Sequence, residues 1–199
     1  MDSPEGPRRL IIGISGASGA QYGIRLLEAA RRIPLLQTHL IITPAAQLVI
    51  KAETDWRFDQ VAALAHSVYD DGDLAAPLAS GSFPTTGMVV LPCSIKTLSA
   101  IANCYTSTLL ARAADVTLKE GRPLILAVRE TPLHLGHLRL MVQAAEMGAI
   151  LFPPVPALYG RPRTVEEIVD GTVGRILARL GFPNSFYQTW TGLAAETER

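Results

Sequence analysis

Gly13-Ile14-Ser15-Gly16-Ala17-Ser18-Gly19-Ala20-Gln21-Tyr22-Gly23 follows the apolar run Leu10-Ile11-Ile12, and its reading decides the fold. The apolar run has strand length and leads without a break into small residues. These lead into Tyr22–Arg32, where Ile24, Leu26 and Leu27 recur at helical spacing with Arg25, Arg31 and Arg32 outside that face. Strand, tight loop and helix in that order open a nucleotide-binding unit. The glycines at 13, 16 and 19 read G-x-x-G-x-x-G, whereas a dinucleotide fingerprint needs G-x-G-x-x-G. Nor does an acidic residue end the second strand to take a ribose hydroxyl, because Thr43-Pro44 stands there. The Gly-Lys-Ser/Thr of a P-loop is absent, and a G-x-S-x-G elbow fails on alanine at its fifth place. Two readings remain: a loop for a mononucleotide with one phosphate, or a tight turn with no ligand.

Further along, unbroken apolar runs alternate with helical stretches. Strands are expected at Leu10–Ile14, His39–Thr43, Gly87–Leu91, Leu124–Val128 and Ala149–Phe152. Helices are expected at Tyr22–Arg32, from Ala45 to Ala52, at Ile95–Ala102, Thr108–Glu120, Leu135–Met147 and Thr164–Leu180, the last with Thr164 as N-cap. Residues 53–86 are less regular, with Val61–His66 as a short helix. This alternation predicts an α/β fold of three layers, Rossmann-like, with a mainly parallel sheet covered on both faces. Ligands in such sheets bind beyond the carboxyl ends of the strands. The loops there are Ser15–Ser18, Thr43-Pro44, Pro92–Thr97 and Arg129–Pro132, each with a hydroxyl, a helix N-terminus or a charge. Together they predict a polar, phosphate-friendly crevice.

Composition bounds the partners. Hydrophobic residues make up 48% and charged residues 18%, apolar for a monomer of 199 residues, which points to subunit contacts. The 18 basic and 18 acidic residues cancel and form no basic run, which argues against nucleic acid. The apolar runs are far shorter than the roughly 20 residues that span a bilayer, so no membrane partner is expected. Met1–Arg9 is polar and does not read as a signal peptide. Two cysteines, Cys93 and Cys104, suggest no structural disulfide and a cytoplasmic location.

The stretches GISGASGAQYG, ITPAAQLVIKAETDW, LASGSF, LPCSIKTLSAI, ARAADVTLKEGRPLILAVRETPLHLGHLRLM and FPPVPALYGRPRTVEEIVD together resemble the flavin prenyltransferases of the UbiX type, over residues 9–182. The wording ETPLHLGHLRLM is closer to the branch paired with phenolic or hydroxyaryl acid decarboxylases. The resemblance implies a flavoprotein fold and a homododecamer. It implies transfer of a dimethylallyl group from dimethylallyl monophosphate to N5 and C6 of reduced FMN. The prenylated FMN then serves a decarboxylase of the UbiD type. The FMN contacts it implies are Gly16, Ala17, Ser18, Thr43, Ser94, Ile95, Lys96, Thr97 and Arg129. The prenyl-phosphate contacts are Tyr159 and Arg175, with Lys119, Arg129, Glu130 and Arg112 beside them; Glu53 matches a glutamate near the flavin. Two departures are Leu74, where some members carry Trp, and His137-Leu138-Arg139-Leu140, where many read HLEN. The domain division expected is a disordered tail 1–8, an FMN domain 9–182 and a tail 183–199 at a subunit interface.

The residue types suit this chemistry. Phosphate is a modest leaving group, so cations and donors must stand where charge develops, and Lys119, Arg129, Arg175 and the Tyr159 hydroxyl supply them. Glu53 or Glu130 can act as acid or base where the flavin C6 proton is lost, with Ser15 as a relay. The cations make a metal unnecessary, and no HExxH or CxxC occurs. Plainer readings stand beside these. Thr131 and Pro132 can simply cap and start a helix, Lys119 can serve a helix C-terminus, and His134 with His137 can be structural. An FMN-dependent aromatic acid decarboxylase, or a flavin-carrying decarboxylase subunit, is the alternative function.

Overall fold

The computed structural model describes residues 7–192. It divides into two compact units, one ending at Pro154 and the other beginning at Val155. The first holds a six-stranded, all-parallel sheet of β1 (Arg8–Ile14), β2 (Leu36–Ile42), β3 (Ser67–Tyr69), β4 (Gly87–Cys93), β5 (Leu124–Val128) and β6 (Ile150–Leu151). Spatial order is β3-β2-β1-β4-β5-β6, the doubly wound arrangement. Both faces are covered, which is why β1, β2, β4 and β5 are apolar without alternation: Leu10, Ile12, Leu40, Ile41, Val89, Val90 and Leu126 are all fully buried. Each such side chain contributes roughly 1.5–3 kcal/mol through burial.

The connecting helices are α1 (Ala20–Ala30), α2 (Pro44–Glu53), α3 (Phe58–Ala62), α4 (Ile95–Ala102), α5 (Leu109–Lys119) and α6 (Leu135–Glu146). Side-chain oxygens of Thr43, Ser94 and Thr108 accept from the N–H groups of Ala46, Thr97 and Ala111, starting α2, α4 and α5. The order in which strands are added reverses between the parallel neighbours β1 and β4, the topological switch, so the carboxyl ends of these two strands leave a crevice open.

Several expectations are corrected here. The sequence predicts five strands, but the irregular segment 53–86 contains β3, paired with β2 from His39 opposite Ser67 to Ile41 opposite Tyr69. The short helix there is Phe58–Ala62, not Val61–His66. Arg8, assigned to a disordered tail, already lies in β1, where Arg8 pairs with Leu36. Residues 1–6 of that tail lie outside the described residues, as do 193–199 of the C-terminal one. Thr131 does not cap α6. His134 does, its Nδ1 accepting from Gly136 N–H at 3.0 Å, so Glu130–Leu133 is loop rather than helix start. Cys104 lies past α4 in left-handed backbone at φ 52°.

In the second unit, α7 (Val165–Arg179) begins at Thr164, whose hydroxyl accepts from Glu167 N–H at 3.2 Å. Glu166 and Glu167 stand in its first turn, where acids favour the helix dipole. The following chain returns along it, with Asn184 Nδ2 donating to Gly174 O at 2.9 Å.

Candidate active site

Ser15 joins the two strands at the switch. Its buried hydroxyl donates to Pro92 O at 2.9 Å and accepts from Ser94 N–H at 2.7 Å. The end of β1 is thereby locked to the end of β4, and Ser94 is held where it caps α4. The hydroxyl of Ser94 accepts from Thr97 N–H at 3.2 Å. The first turn of a helix has no carbonyl partners for its N–H groups, so Ile95 and Lys96 present donors toward the crevice end. On the other side Gly16 packs against α2. A Cβ there would lie 2.5 Å from Ala45 Cβ, a clash that excludes any larger residue without movement.

These elements surround a cavity of about 770 Å³. Gly16, Thr43, Ser94, Lys96 and Thr97 line it, among the residues expected to hold FMN. Pro44, Ala100, Leu110 and Ala111 give it an apolar wall. Hydroxyls and helix starts at one side, with a small-residue apolar surface at the other, fit a phosphate joined to a flat ring system. The volume lies in the range of small-molecule sites, roughly 300–1,000 Å³. Ala17, Ser18 and Ile95 adjoin these lining residues in the chain.

Glu53, at the end of α2, reaches back to the first loop. Its Oε2 accepts from Gly19 N–H at 2.8 Å and from Ala20 N–H at 3.4 Å, satisfying donors at the start of α1. Partial burial opposes its ionisation. The Ser18 hydroxyl, the two N–H groups and the charge of Arg129 outweigh that and hold the carboxyl below its ordinary value. Arg129 follows β5, with its N–H donating to Cys93 O at 3.0 Å. Glu130 is exposed, and its Oε1 accepts from Thr131 N–H at 3.0 Å. So Ser15, Ser18, Glu53, Ser94 and Arg129 converge at the carboxyl edge of the sheet.

Lys119 does not join them. It is the last residue of α5, while Thr108 and Ala111 at the other end of that helix line the cavity. Eleven residues at about 1.5 Å each place its two ends roughly 16 Å apart. Lys119 instead forms an ion pair with Glu120. Arg112 is bound part way along, its Nε donating to Ala79 O at 3.1 Å and its Nη1 pairing with Asp115 at 2.7 Å. Tyr159 and Arg175 line a recess of about 180 Å³ within the second unit, beside Glu167, Phe186, Tyr187 and Gln188. There the Tyr159 hydroxyl donates to Gln188 O at 3.1 Å, and Trp190 meets its ring edge-on at 5.7 Å between centroids.

Several cavity residues escape a loop-by-loop reading. Asp71, Ser99, Asn103, Tyr105, Ser107 and Thr108 all line the crevice: Asp71 from the chain after β3, Ser99 from α4, and the other four from the turn between α4 and α5. Asp71 also caps α5, its Oδ1 accepting from Leu110 N–H at 2.9 Å. The hydroxyl-rich Tyr105–Thr108 run ahead of an apolar helix is the signal that marks this turn. Cys93 is fully buried, and burial pushes its thiol pKa up, which leaves it unsuited as a nucleophile. Among the described residues no group of three His, Cys, Asp or Glu is placed to hold a metal, and no helix is long and apolar enough to cross a membrane.

A doubly wound sheet with a phosphate-ready crevice at its switch point defines a mononucleotide-binding α/β protein. Comparison with known proteins narrows this class. The flavoprotein family model matches residues 2–177. A flavin prenyltransferase UbiX from Escherichia coli is 54% identical over 93% of this chain and 99% of its own, and one from Thauera aromatica is 51% identical over 92% and 94%. The crystal structure of AnUbiX (PadA1) in complex with FMN and dimethylallyl pyrophosphate superposes with a TM-score of 0.92 at 44% identity, covering 94% of this chain and all of that one. The chain belongs to the flavoprotein family, among the flavin prenyltransferases of the UbiX type.

Proposed function

We propose that this protein is a flavin prenyltransferase that moves a dimethylallyl group from dimethylallyl monophosphate to N5 and C6 of reduced FMN. The observation that carries this reading is the crevice at the β1–β4 switch, in a chain matching flavin prenyltransferases over nearly its full length. Reduced FMN, bound there, supplies the two nucleophilic positions. Ser94, Thr97 and Thr43, with the N–H groups of Ile95 and Lys96, hold its phosphate; Gly16, Ala17 and Ser18 let it approach the first loop. Arg129 lends positive charge where the donor's phosphate departs. Tyr159 and Arg175 are the further phosphate contacts, Arg175 through a planar fork suited to two oxygens. Glu53, held ionised, keeps the loop and α1 in register. Glu130, exposed and on a loop, is the better placed to take the proton from C6. For Ser15 the hydrogen bonds favour a positioning part, since its one proton is already donated to Pro92 O.

Lys119 and Arg112 enter the same scheme through assembly. Lys119, a helix length from its own crevice, and Arg112, tied to Ala79 O and Asp115, serve the crevice of another copy. A relative, a dodecameric FMN-dependent UbiX-like decarboxylase from Escherichia coli, superposes with a TM-score of 0.90 at 44% identity. A homododecamer is the assembly proposed here, with the 183–199 tail at a subunit interface. The enzyme works in the cytoplasm without a metal and passes prenylated FMN to a decarboxylase of the UbiD type. Anaerobic phosphate release tests this reading: release must require both reduced FMN and dimethylallyl monophosphate. Release with either alone, or carbon dioxide from an aromatic acid with the purified protein alone, contradicts it.

A further inference from the structure

We propose that Arg122, in the turn between α5 and β5, is a positioning residue that fixes the Lys119 ammonium and so sets the affinity for the prenyl phosphate. The inference rests on Lys119 being a phosphate contact, as proposed above. Arg122 spreads its guanidinium over one loop: Nη2 donates to Gly81 O at 2.8 Å, Nη1 to Phe83 O at 2.9 Å and to Thr85 Oγ1 at 3.4 Å. Its own N–H closes the end of α5 on Thr117 O at 2.9 Å. One residue therefore ties the 81–85 loop to the helix end that carries Lys119.

The loop in turn forms the floor under that side chain. A Cβ on Gly81 would lie 2.7 Å from Lys119 Nζ and closer still to the Glu120 carboxylate, so a methyl there would push the tips of this pair aside. A shift of the Gly81 backbone therefore changes the surface against which the Lys119–Glu120 pair rests. The flanks of the loop are secured without Arg122. Arg112 Nε holds Ala79 O at 3.1 Å. The Phe83 ring meets His39 edge-on at 5.2 Å and has the Arg9 guanidinium 5.0 Å from its centroid. Thr86 Oγ1 donates to Arg9 O at 2.7 Å. Loss of Arg122 thus frees the Gly81 end while the loop stays attached, and the FMN crevice, beyond the opposite edge of the sheet, is untouched. Three aligned donors are a demand that only a planar guanidinium meets in full; a lysine ammonium can reach a carbonyl but cannot fork across the loop.

The test uses the assembled, full-length enzyme. R122Q is expected to raise the KM for dimethylallyl monophosphate about tenfold, the ratio produced by about 1.4 kcal/mol of lost contact. The kcat at saturating donor and the Kd for FMN should stay at wild-type values, and R122K should recover part of the KM. Titrating the FMN-loaded protein with dimethylallyl monophosphate reads the same weakening without turnover, so a failure of the transferase reading in the wild type is told apart from a failure of this one. G81A, which crowds Lys119 from the loop side, should give the same KM change and carries the test if R122Q does not fold. An unchanged donor KM in R122Q or G81A, or a rise in KM matched by an equal loss of FMN affinity, overturns the proposal.

Discussion

Replacing Ser15 by alanine removes one oxygen and leaves two partners to account for. Pro92 O loses a donor at 2.9 Å but keeps the Ser15 backbone N–H at 3.2 Å. Ser94 N–H loses the acceptor at 2.7 Å, its bond across the switch. A donor left unpaired at a buried site costs about 1–3 kcal/mol. The carbonyl, still partly satisfied, adds less, so about 2 kcal/mol of destabilisation is expected. For a chain of this length that corresponds to a fall in Tm of about 4–8 °C. The same change releases Ser94 from β1 and loosens the α4 N-terminus assigned to the FMN phosphate. FMN affinity should therefore drop about tenfold, the equivalent of about 1.4 kcal/mol. Differential scanning calorimetry reads the first number and quenching of flavin fluorescence the second. Ser15→Ala with wild-type Tm and wild-type FMN affinity would refute the view that this hydroxyl builds the crevice. Wild-type values with prenyl transfer alone abolished would return Ser15 to the part of a proton relay.

Other outcomes follow from neighbouring contacts. Gly16→Ala brings a methyl against Ala45 Cβ, and overpacking of this kind costs about 1–3 kcal/mol, so FMN binding measured by equilibrium dialysis should fall sharply. Glu53→Gln keeps one acceptor for the Gly19 and Ala20 N–H groups but removes the charge facing Arg129, so stability should drop by less than about 1 kcal/mol. Its transfer rate should nonetheless fall, and the variant should lose whatever acid sensitivity this depressed carboxyl confers below the ordinary carboxylate range. His39 is buried beside Tyr69 Oη at 2.9 Å, and desolvation, then the charges of His66 and Arg9, lower its pKa from 6.5 to about 4. Across that window the unfolded chain takes up a proton the folded chain refuses, so the contribution is complete above pH 6.5 and is lost as pH falls toward 4. Thermal melts at pH 7, 5.5 and 4.5 should show this slope in the wild type and a shallower one in His39→Leu.

Much of this architecture was readable because a doubly wound fold writes its centre in plain apolar runs. Strands β1, β2, β4 and β5 are buried on both faces, and their helices begin at Thr43, Ser94 and Thr108, residues whose side chains cap by simple chemistry. β3 was not readable, because an edge strand of three residues, Ser67-Val68-Tyr69, with Val68 exposed carries no apolar signal. Three of the four expected loops supply lining residues of the crevice, since parallel strands bring their carboxyl ends to one edge; none of Arg129–Pro132 is among them. The crevice wall from Asn103 to Thr108 was not legible, because it comes from the packing of α4 and α5. Lys119 shows the same limit from another side: a cation can match a motif in one chain yet lie a helix length from that chain's own crevice. Arg122 carries no motif at all, and its place emerges from three hydrogen bonds to one loop.

The claim that this crevice is a site of flavin prenylation is tested most directly by the mass of the flavin itself. Purified protein is incubated anaerobically with reduced FMN and dimethylallyl monophosphate, the flavin is extracted, and its mass is measured. A flavin heavier by one five-carbon prenyl unit, formed by the wild type and lost in Arg129→Ala, is the result predicted. FMN recovered at its original mass, from protein shown to bind both ligands, would contradict it.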